Sequence, residues 1–366
     1  MNAGLADLAG DKISYRSHIG PHAQGQKLIE FLCRRFTYFS DPQWRQCIES
    51  RDVLLNGENA NPEHVLIAGD LVQYFAMKKP EPKVPTQIPI IYQDEDLMVV
   101  NKPPHIPVHP TGRYLRNTLI HVLQQQTKLK FLVLAHRLDR ETSGLLVLSK
   151  TPLGKDKMYW QFFNGEIDKT YWGLVWGRPT PPSGVIDAPL GLARPDQSPI
   201  RIKQVVNGKD AKSARTKYHT LGTKWIEAPE WIPPPWPGLE KMIQGKPKGQ
   251  WPISLVECKP ITGRTNQIRV HLTEVGCGIV GDKLYDPDEA TFLAFKDGEP
   301  ILHGEKGVKG YIRLNDELKR RLVLEAHALH ARKLTFRHPR TQKMMTLEAP
   351  PPTSWQGLFE PRWNRA

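Results

Sequence analysis

In "GQKLIEFLCRRF", residues 25–36, apolar side chains fall at near-helical spacing (Leu28, Ile29, Leu32, Phe36) with basic residues between them, which predicts an amphipathic helix. "DPQWRQCIES", residues 41–50, predicts a second short helix with Asp41 as N-cap and Pro42 at its first position. The pattern then shifts to short apolar runs. "DVLLNGEN" reads as a strand ending in the turn dipeptide Asn56-Gly57, and "EHVLIAGDLVQYF" as strand, turn and strand. "MKKPEPKVPTQIP" follows, rich in proline and lysine and without periodicity, and reads as a semi-extended connection between domains.

Beyond it, strands are expected at Leu97 to Val100 and in "GLLVLSK", "KTYWGLVWG", "ISLVECKP" and "KLTFRHP". Helices are expected in "NTLIHVLQQQ" and "RTNQIRVHLTEVG". This mixture predicts an α+β fold: a catalytic domain with a mixed or antiparallel sheet and a central cleft, preceded by a small α/β module. The expected divisions are an N-terminal tail 1–14, a module 15–76, a linker 77–88, the large domain 89–355 and a C-terminal tail 356–366. Two inserts interrupt the large domain. Residues 225–252, rich in proline and tryptophan, are expected to form an irregular surface excursion, and residues 286–310 are the second insert. There is no internal repeat.

Composition narrows the partners. The chain of 366 residues has 51 Lys plus Arg against 38 Asp plus Glu, a net charge of +13, which suits a polyanion: nucleic acid first, an anionic membrane second. No apolar run approaches a membrane span. Cys33, Cys47, Cys258 and Cys277 form no CxxC pair, which argues against a zinc ribbon or disulfide scaffold and fits a reducing cytoplasm. The first residues show no apolar signal region, and Asp7 and Asp11 make a poor transit peptide. There is no GxGxxG, no Walker loop and no His/Cys ligand cluster, so neither a cofactor nor a metal site is expected. His327 and His330 are spaced to share a helix face and read as structural histidines.

The densest chemistry lies in "AHRLDRETSGLLVLSK", residues 135–150, where Asp139 sits between Arg137 and Arg140 directly before an apolar run. An isolated aspartate is commonly a turn former. Flanking guanidiniums instead favour a charged carboxylate available as nucleophile or base. The Ser143-Gly144 step would let backbone approach a ligand closely.

"HRLDRETSG" plus the following strand resembles the signature of the RluA-type pseudouridine synthases. "KTYWGLVWG" and "ITGRTNQIRVHL" resemble that family's second and third motifs, in order, and "NKPPHIPVHP", "GIVGDKLYD" and "LHARKLTFRHP" resemble further segments, so that the resemblance covers roughly residues 85 to 350. The two N-terminal helices followed by "VLLNG" and "AGDLV" resemble the S4 RNA-binding module. The resemblance implies isomerisation of uridine in RNA: scission of the C1′–N1 bond, rotation of the uracil, and joining of C5 to C1′, without cofactor or metal. It implies Asp139 as the essential carboxylate, attacking the sugar or abstracting the 2′ proton. Arg269 would pair with Asp139, its planar guanidinium able to hold both carboxylate oxygens. Tyr171 would stack on the uracil and help remove the C5 proton. The uridine must be flipped out of its stack, with Arg137, Arg140 and Arg264 placed for RNA contact and His136 given no such role.

In the S4-like module the phosphate contacts would fall to Lys27, Arg34, Arg35, Arg45 and Arg51. The alternative is that these are solvated faces of two amphipathic helices; scarcity of acidic residues on the same faces favours RNA. The chain departs from the family at Asn266, where histidine is usual, and a supporting position is expected there. The target is expected to be rRNA, then tRNA, with no obligate protein partner and no membrane. Two rival functions remain. One is a non-catalytic RNA-binding or ribosome-assembly factor, disfavoured by the intact Asp139, Tyr171 and Arg269 set. The other is a glycosidase or DNA-glycosylase; a glycosidase needs two carboxylates in partnership where this loop offers Asp139 with only Glu141 near.

Overall fold

The computed structural model describes residues 8–9, 12–36, 39–77, 81–112, 114–198, 200, 202–227, 239–247, 249–285 and 323–359. The chain divides into two compact units, Met1–Pro80 and Glu81–Ala366.

In the first unit, helices Leu28–Arg35 and Asp41–Glu49 accompany a five-stranded antiparallel sheet. Its order is Leu8–Ala9, Lys12–His18, Leu71–Met77, Val53–Leu55, Glu58–Asn59. Leu28, Leu32, Trp44, Val53, Leu66 and Val72 form the core, so the apolar stripe of the first helix faces inward as its spacing predicts. Three details differ from expectation. Residues 12–14, expected in a tail, belong to a strand paired along Leu71–Met77. Ser40, not Asp41, is the N-cap, with its backbone N–H donating to Gln43; this leaves the Asp41 carboxylate to pair with Arg45. Val65 makes only an isolated bridge to Lys27, so "EHVLIAGDLVQYF" supplies one strand rather than two. At Asn56-Gly57 both residues have positive φ, 55° and 87°, as a tight hairpin turn requires.

The second unit is built on one large mixed sheet. Its order is Ser183–Asp187, Arg215–Glu227, Gln250–Pro260, Asp168–Trp176, Leu329–Arg337, Ser143–Ser149, Leu97–Lys102, Ile90–Gln93. Neighbours run antiparallel except Leu329–Arg337 beside Ser143–Ser149, which are parallel. The strand after the Asp139 loop is buried at every position. Leu146 and Leu148 pack with Met98, Val100 and Leu123 on one face, and Leu145 and Val147 with Val99, Met158 and Phe336 on the other. A strand covered on both faces gives the unbroken apolar run seen in the sequence.

Gly144 has a reason other than the one expected. Its φ is 109°, and a Cβ there would lie 2.4 Å from the Ala331 carbonyl oxygen. The neighbouring parallel strand by itself demands the glycine.

The expected linker also divides. From Glu81 onward it belongs to the second unit: Ile88 is buried, its N–H and carbonyl both bonded to the Gln126 side chain. Within the expected excursion 225–252, Arg215–Glu227 and Gln250–Pro260 are paired strands reaching into it, and Leu239–Ile243 is a short helix with Leu239 buried. It is therefore partly regular, because Leu239 and Trp251 supply core contacts; residues 228–238, and all of the second insert 286–310, lie outside the described residues. No helix among the described residues is long and apolar enough to cross a membrane.

Candidate active site

Asp139 lies between the short strand Val133–Leu134 and Ser143–Ser149, in a loop with its side chain 28% exposed at a cavity of about 600 Å³. That volume suits a small-molecule or nucleotide site. The loop is tethered at both ends. Upstream, the His136 ring stacks on Phe162 at 4.5 Å and its Nε2 accepts from the Val147 N–H at 3.1 Å. Burial pushes the His136 imidazole down to about 3, so the ring is neutral, as an acceptor at Nε2 must be. Downstream, the fully buried Lys102 donates its Nζ to the carbonyls of Pro103 and Arg140, both at 2.9 Å. Burial pushes the Lys102 amine down to about 7 against the raising charges of Asp139 and Glu141; two acceptors are what a neutral amine can satisfy.

Arg269 reaches Asp139 from helix Gln267–Glu274, with Nη1 donating to Asp139 Oδ2 at 3.0 Å. The expected pairing of both carboxylate oxygens is made elsewhere. Nε and Nη2 of Arg269 donate to Oδ2 and Oδ1 of Asp282 at 2.6 and 2.8 Å, leaving a single donor for Asp139. The guanidinium edge with two parallel donors faces the buried carboxylate, where desolvation makes a matched pair most necessary. Burial alone would push the Asp282 carboxyl up, but the charge and hydrogen bonds of Arg269 outweigh it and hold it below its usual range.

Asn266 completes the clamp. It caps the Arg269 helix at φ 56°, a left-handed conformation that asparagine tolerates better than most residues. Its Oδ1 accepts from Arg269 Nη1 at 3.0 Å while its Nδ2 donates to the Tyr285 hydroxyl at 3.1 Å. The Tyr285 ring lies under the guanidinium at 4.9 Å. An amide accepts and donates at once at fixed places, so Asn266 supports Arg269.

Tyr171, on Asp168–Trp176, lines the same cavity. Burial, then the charge of Asp139, raises its phenol above the ordinary range, so it remains protonated at neutral pH. Glu141 is unavailable as a second catalytic carboxylate: it is buried, accepts from Lys283 at 2.9 Å and pairs with Arg140 at 3.0 Å. Burial would raise its carboxyl, but Lys283 and the other nearby cations hold it strongly down. His327 and His330 do not share a helix. His330 is in strand Leu329–Arg337 and His327 just precedes it. They bond to Thr142 and Ser143 at 2.7 and 2.9 Å, cross-linking the Asp139 loop to the parallel strand. No metal-holding cluster occurs among the described residues.

The expected RNA contacts separate into two sets. Arg137 and Arg264 line the cavity, and Arg137 is exposed and makes no ion pair among the described residues. Arg140 instead bonds to Glu141 and to the Tyr114 hydroxyl. In the first unit, Lys27 and Arg45 both pair with Glu63, and Arg45 also with Asp41. An acidic counterweight is therefore present: Asp41 at the start of the second helix, and Glu63 from a loop that inspection of the helices alone does not include. Arg34, Arg35 and Arg51 remain exposed. Sequence reasoning missed Lys102, Lys169, Asp282 and Tyr285. Asp282 and Tyr285 stand in "GIVGDKLYD", a segment noticed for its resemblance but given no role.

A family model described as RNA pseudouridylate synthase matches residues 96–274, a span containing Asp139, Tyr171 and Arg269. An uncharacterised RNA pseudouridine synthase of Chlorobaculum parvum is 30% identical over 91% of this chain and 93% of its own length. The chain belongs to the RNA pseudouridine synthase family. As such it is an isomerase of uridine in RNA, not a non-catalytic binding factor. The mitochondrial tRNA pseudouridine(32) synthase of Saccharomyces cerevisiae is 33% identical over 75% of this chain, which spans only 54% of that relative's length. The solved structure of human RNA pseudouridylate synthase domain containing 1, at 21% identity, covers 74% of this chain and 86% of its own, with a TM-score of 0.50, and shares the fold. The cavity brings together a carboxylate bonded to a buried arginine, the ring of Tyr171, and the cations Arg137, Lys169 and Arg264.

Proposed function

We propose that Asp139, Tyr171 and Arg269 are the catalytic set of this pseudouridine synthase, acting on a uridine flipped into the cavity. The observation that carries this reading is the Arg269–Asp139 hydrogen bond, made at the cavity by a guanidinium clamped to Asp282. Asp139 attacks C1′ or takes the 2′ proton; both routes need a carboxylate of fixed direction beside the sugar. Tyr171 stacks on the uracil; kept protonated by burial and by the charge of Asp139, its phenol can donate a hydrogen bond but cannot itself take the C5 proton. Arg137, Lys169 and Arg264 hold phosphates of the RNA. Lys169 is half-buried and makes no ion pair among the described residues.

The first unit is read as an S4-like module that adds affinity through Arg34, Arg35 and Arg51, with Lys27 and Arg45 in lesser roles because each is already paired; Arg140, in the second unit, is paired likewise and secondary. The working compartment is read as a reducing one, such as the cytoplasm, in keeping with four free cysteines. The substrate class is structured RNA. The S4-like unit supports rRNA and the name of the yeast relative supports tRNA.

The deciding experiment incubates the protein with total rRNA and, separately, with tRNA, then digests and separates nucleosides. Pseudouridine of unchanged mass supports the reading and identifies the target; free uracil would mean a glycosidase, and unchanged uridine in both pools would reject the proposal.

A further inference from the structure

Helix Pro152–Phe163 turns Gly154, Met158 and Gln161 inward. The Gln161 side chain bonds both the N–H and the carbonyl of Arg337, which fastens the helix to the sheet. Its outer side carries Tyr159, Trp160 and Phe163, which are 54%, 55% and 69% exposed. Each ring touches the other two, with centroids 5.4, 5.9 and 5.5 Å apart. Spacings of three and four residues put them on one face. The inner face of the helix is already packed, so these rings contribute little to the fold where they stand. Contiguous exposed aromatic surface of this kind marks a binding site.

Its position indicates the occupant. Phe163 lines the same cavity as Asp139, and so does Phe162, the ring stacked on His136. The cluster is thus continuous with the place where the uridine must sit. Cations without ion pairs among the described residues, Arg137 and Lys169, line that cavity too. Exposed π-faces beside a cationic track are the combination that binds unpaired nucleotides: the rings take base faces and the cations take phosphates. A paired helix cannot use such rings, because its base faces are already stacked. An apolar protein partner would gain nothing from the cations.

We propose that Tyr159, Trp160 and Phe163 form a stacking platform for unpaired nucleotides flanking the target uridine. The inference rests on the pseudouridine synthase reading of the cavity and deepens it: the substrate is a loop or bulge with splayed bases, not a uridine inside continuous duplex.

The test compares the full chain with its Tyr159→Ala/Trp160→Ala double variant on two probes, a stem with a uridine-containing single-stranded loop and a fully paired duplex of the same composition. The platform predicts that loop affinity falls at least about tenfold, since base–aromatic stacking is a substantial contribution per base. Duplex affinity and the salt slope should stay unchanged, because no charge is removed. Trp160→Phe should keep most loop affinity. Equal loss on both probes, no loss on either, or a change of oligomeric state by sedimentation in the double variant would overturn the proposal. Binding is read without turnover, so the two readings fail separately. Absence of pseudouridine from the wild-type reaction rejects the catalytic assignment, whereas normal turnover with unaltered loop binding in the double variant rejects only the platform.

Discussion

Arg269 gives Asp282 two parallel hydrogen bonds, at 2.6 and 2.8 Å, through the edge of the guanidinium that faces away from Asp139. Asp282 Oδ1 also accepts from the N–H groups of Leu284 and Tyr285. One buried carboxylate therefore fixes both the arginine and the turn that carries Tyr285, so the direction of the Arg269 Nη1 bond to Asp139 is set from behind.

Asp282→Asn is accordingly expected to lower stability by about 3–5 kcal/mol, the usual loss when one partner of a buried pair is neutralised. The acid limb gives the sign. The folded carboxyl lies below its unfolded value, so its contribution is present above the unfolded pKa of about 3.9 and is lost as pH falls through the folded one. The variant should thus be less stable at neutral pH and lose less on acidification. Thermal melts from pH 7 down to pH 3 measure this; parallel curves would mean that Asp282 titrates alike folded and unfolded.

Asp139→Ala and Asp139→Asn are both expected to abolish pseudouridine formation while RNA binding persists. Among the described residues Asp139 is the one carboxylate lining the cavity, and Glu141 is committed to Lys283. Product is counted by nucleoside chromatography, and near wild-type turnover in either variant would remove Asp139 from the mechanism. Arg269→Lys should recover little activity even though it keeps the charge. A point-like ammonium cannot serve Asp282 bidentately and reach Asp139 and Asn266 as well.

Lys102 predicts a trend of the same sign in the alkaline range. Its folded amine is pushed down to about 7, below the unfolded value of about 10.4, so between those values the unfolded chain holds more protons and stability rises with pH. In Lys102→Met this rise should disappear. The comparison is the difference in unfolding free energy between variant and wild type from pH 7 to pH 10; a pH-independent difference would show that the buried amine does not titrate there. Because Lys102 also holds the Arg140 carbonyl, the variant should lose turnover more than RNA affinity.

Much of this arrangement was legible in the chain. The apolar run Leu145 to Leu148 reads as a buried strand, and the Asp139, Tyr171 and Arg269 motifs converge on one cavity. What the sequence hid were long-range choices. Nothing local in Gly144 says that Ala331 will lie against it, and nothing beside Arg269 says that a residue 13 positions on will take its better face. Helix Pro152–Phe163 was missed because apolar residues lie on both its inner and outer sides, which erases the stripe that marks an amphipathic helix. Strand Arg215–Glu227 was missed because threonine and tyrosine supply much of its buried side.

The boundary between the units leads to the last prediction. Glu81 lies inside the proline-rich stretch expected to be linker, yet its carboxylate accepts the backbone N–H groups of Leu115, Arg116 and Asn117 at 2.7 to 3.0 Å. The Pro82 carbonyl accepts from the Asn117 side chain at 2.8 Å. These residues lead into helix Leu119–Thr127, so Glu81 anchors its start with a negative charge. A chain beginning at Glu81 should fold and keep Asp139-dependent activity at high enzyme concentration. One beginning at Lys83 should be less stable by about 2 kcal/mol, in line with hydrogen bonds to a charged group. Glu81→Gln in the full chain should show a smaller loss of the same sign. Binding adds a second measurement. With Lys27 and Arg45 already paired to acids, the candidates for phosphate contact that make no ion pair among the described residues of the first unit are Arg34, Arg35 and Arg51. Removing it should reduce the slope of log affinity against log salt by about two to three units. An equal slope would mean that the first unit does not touch the phosphates, and equal melting of the Glu81 and Lys83 chains would mean that the carboxylate does not anchor the helix start.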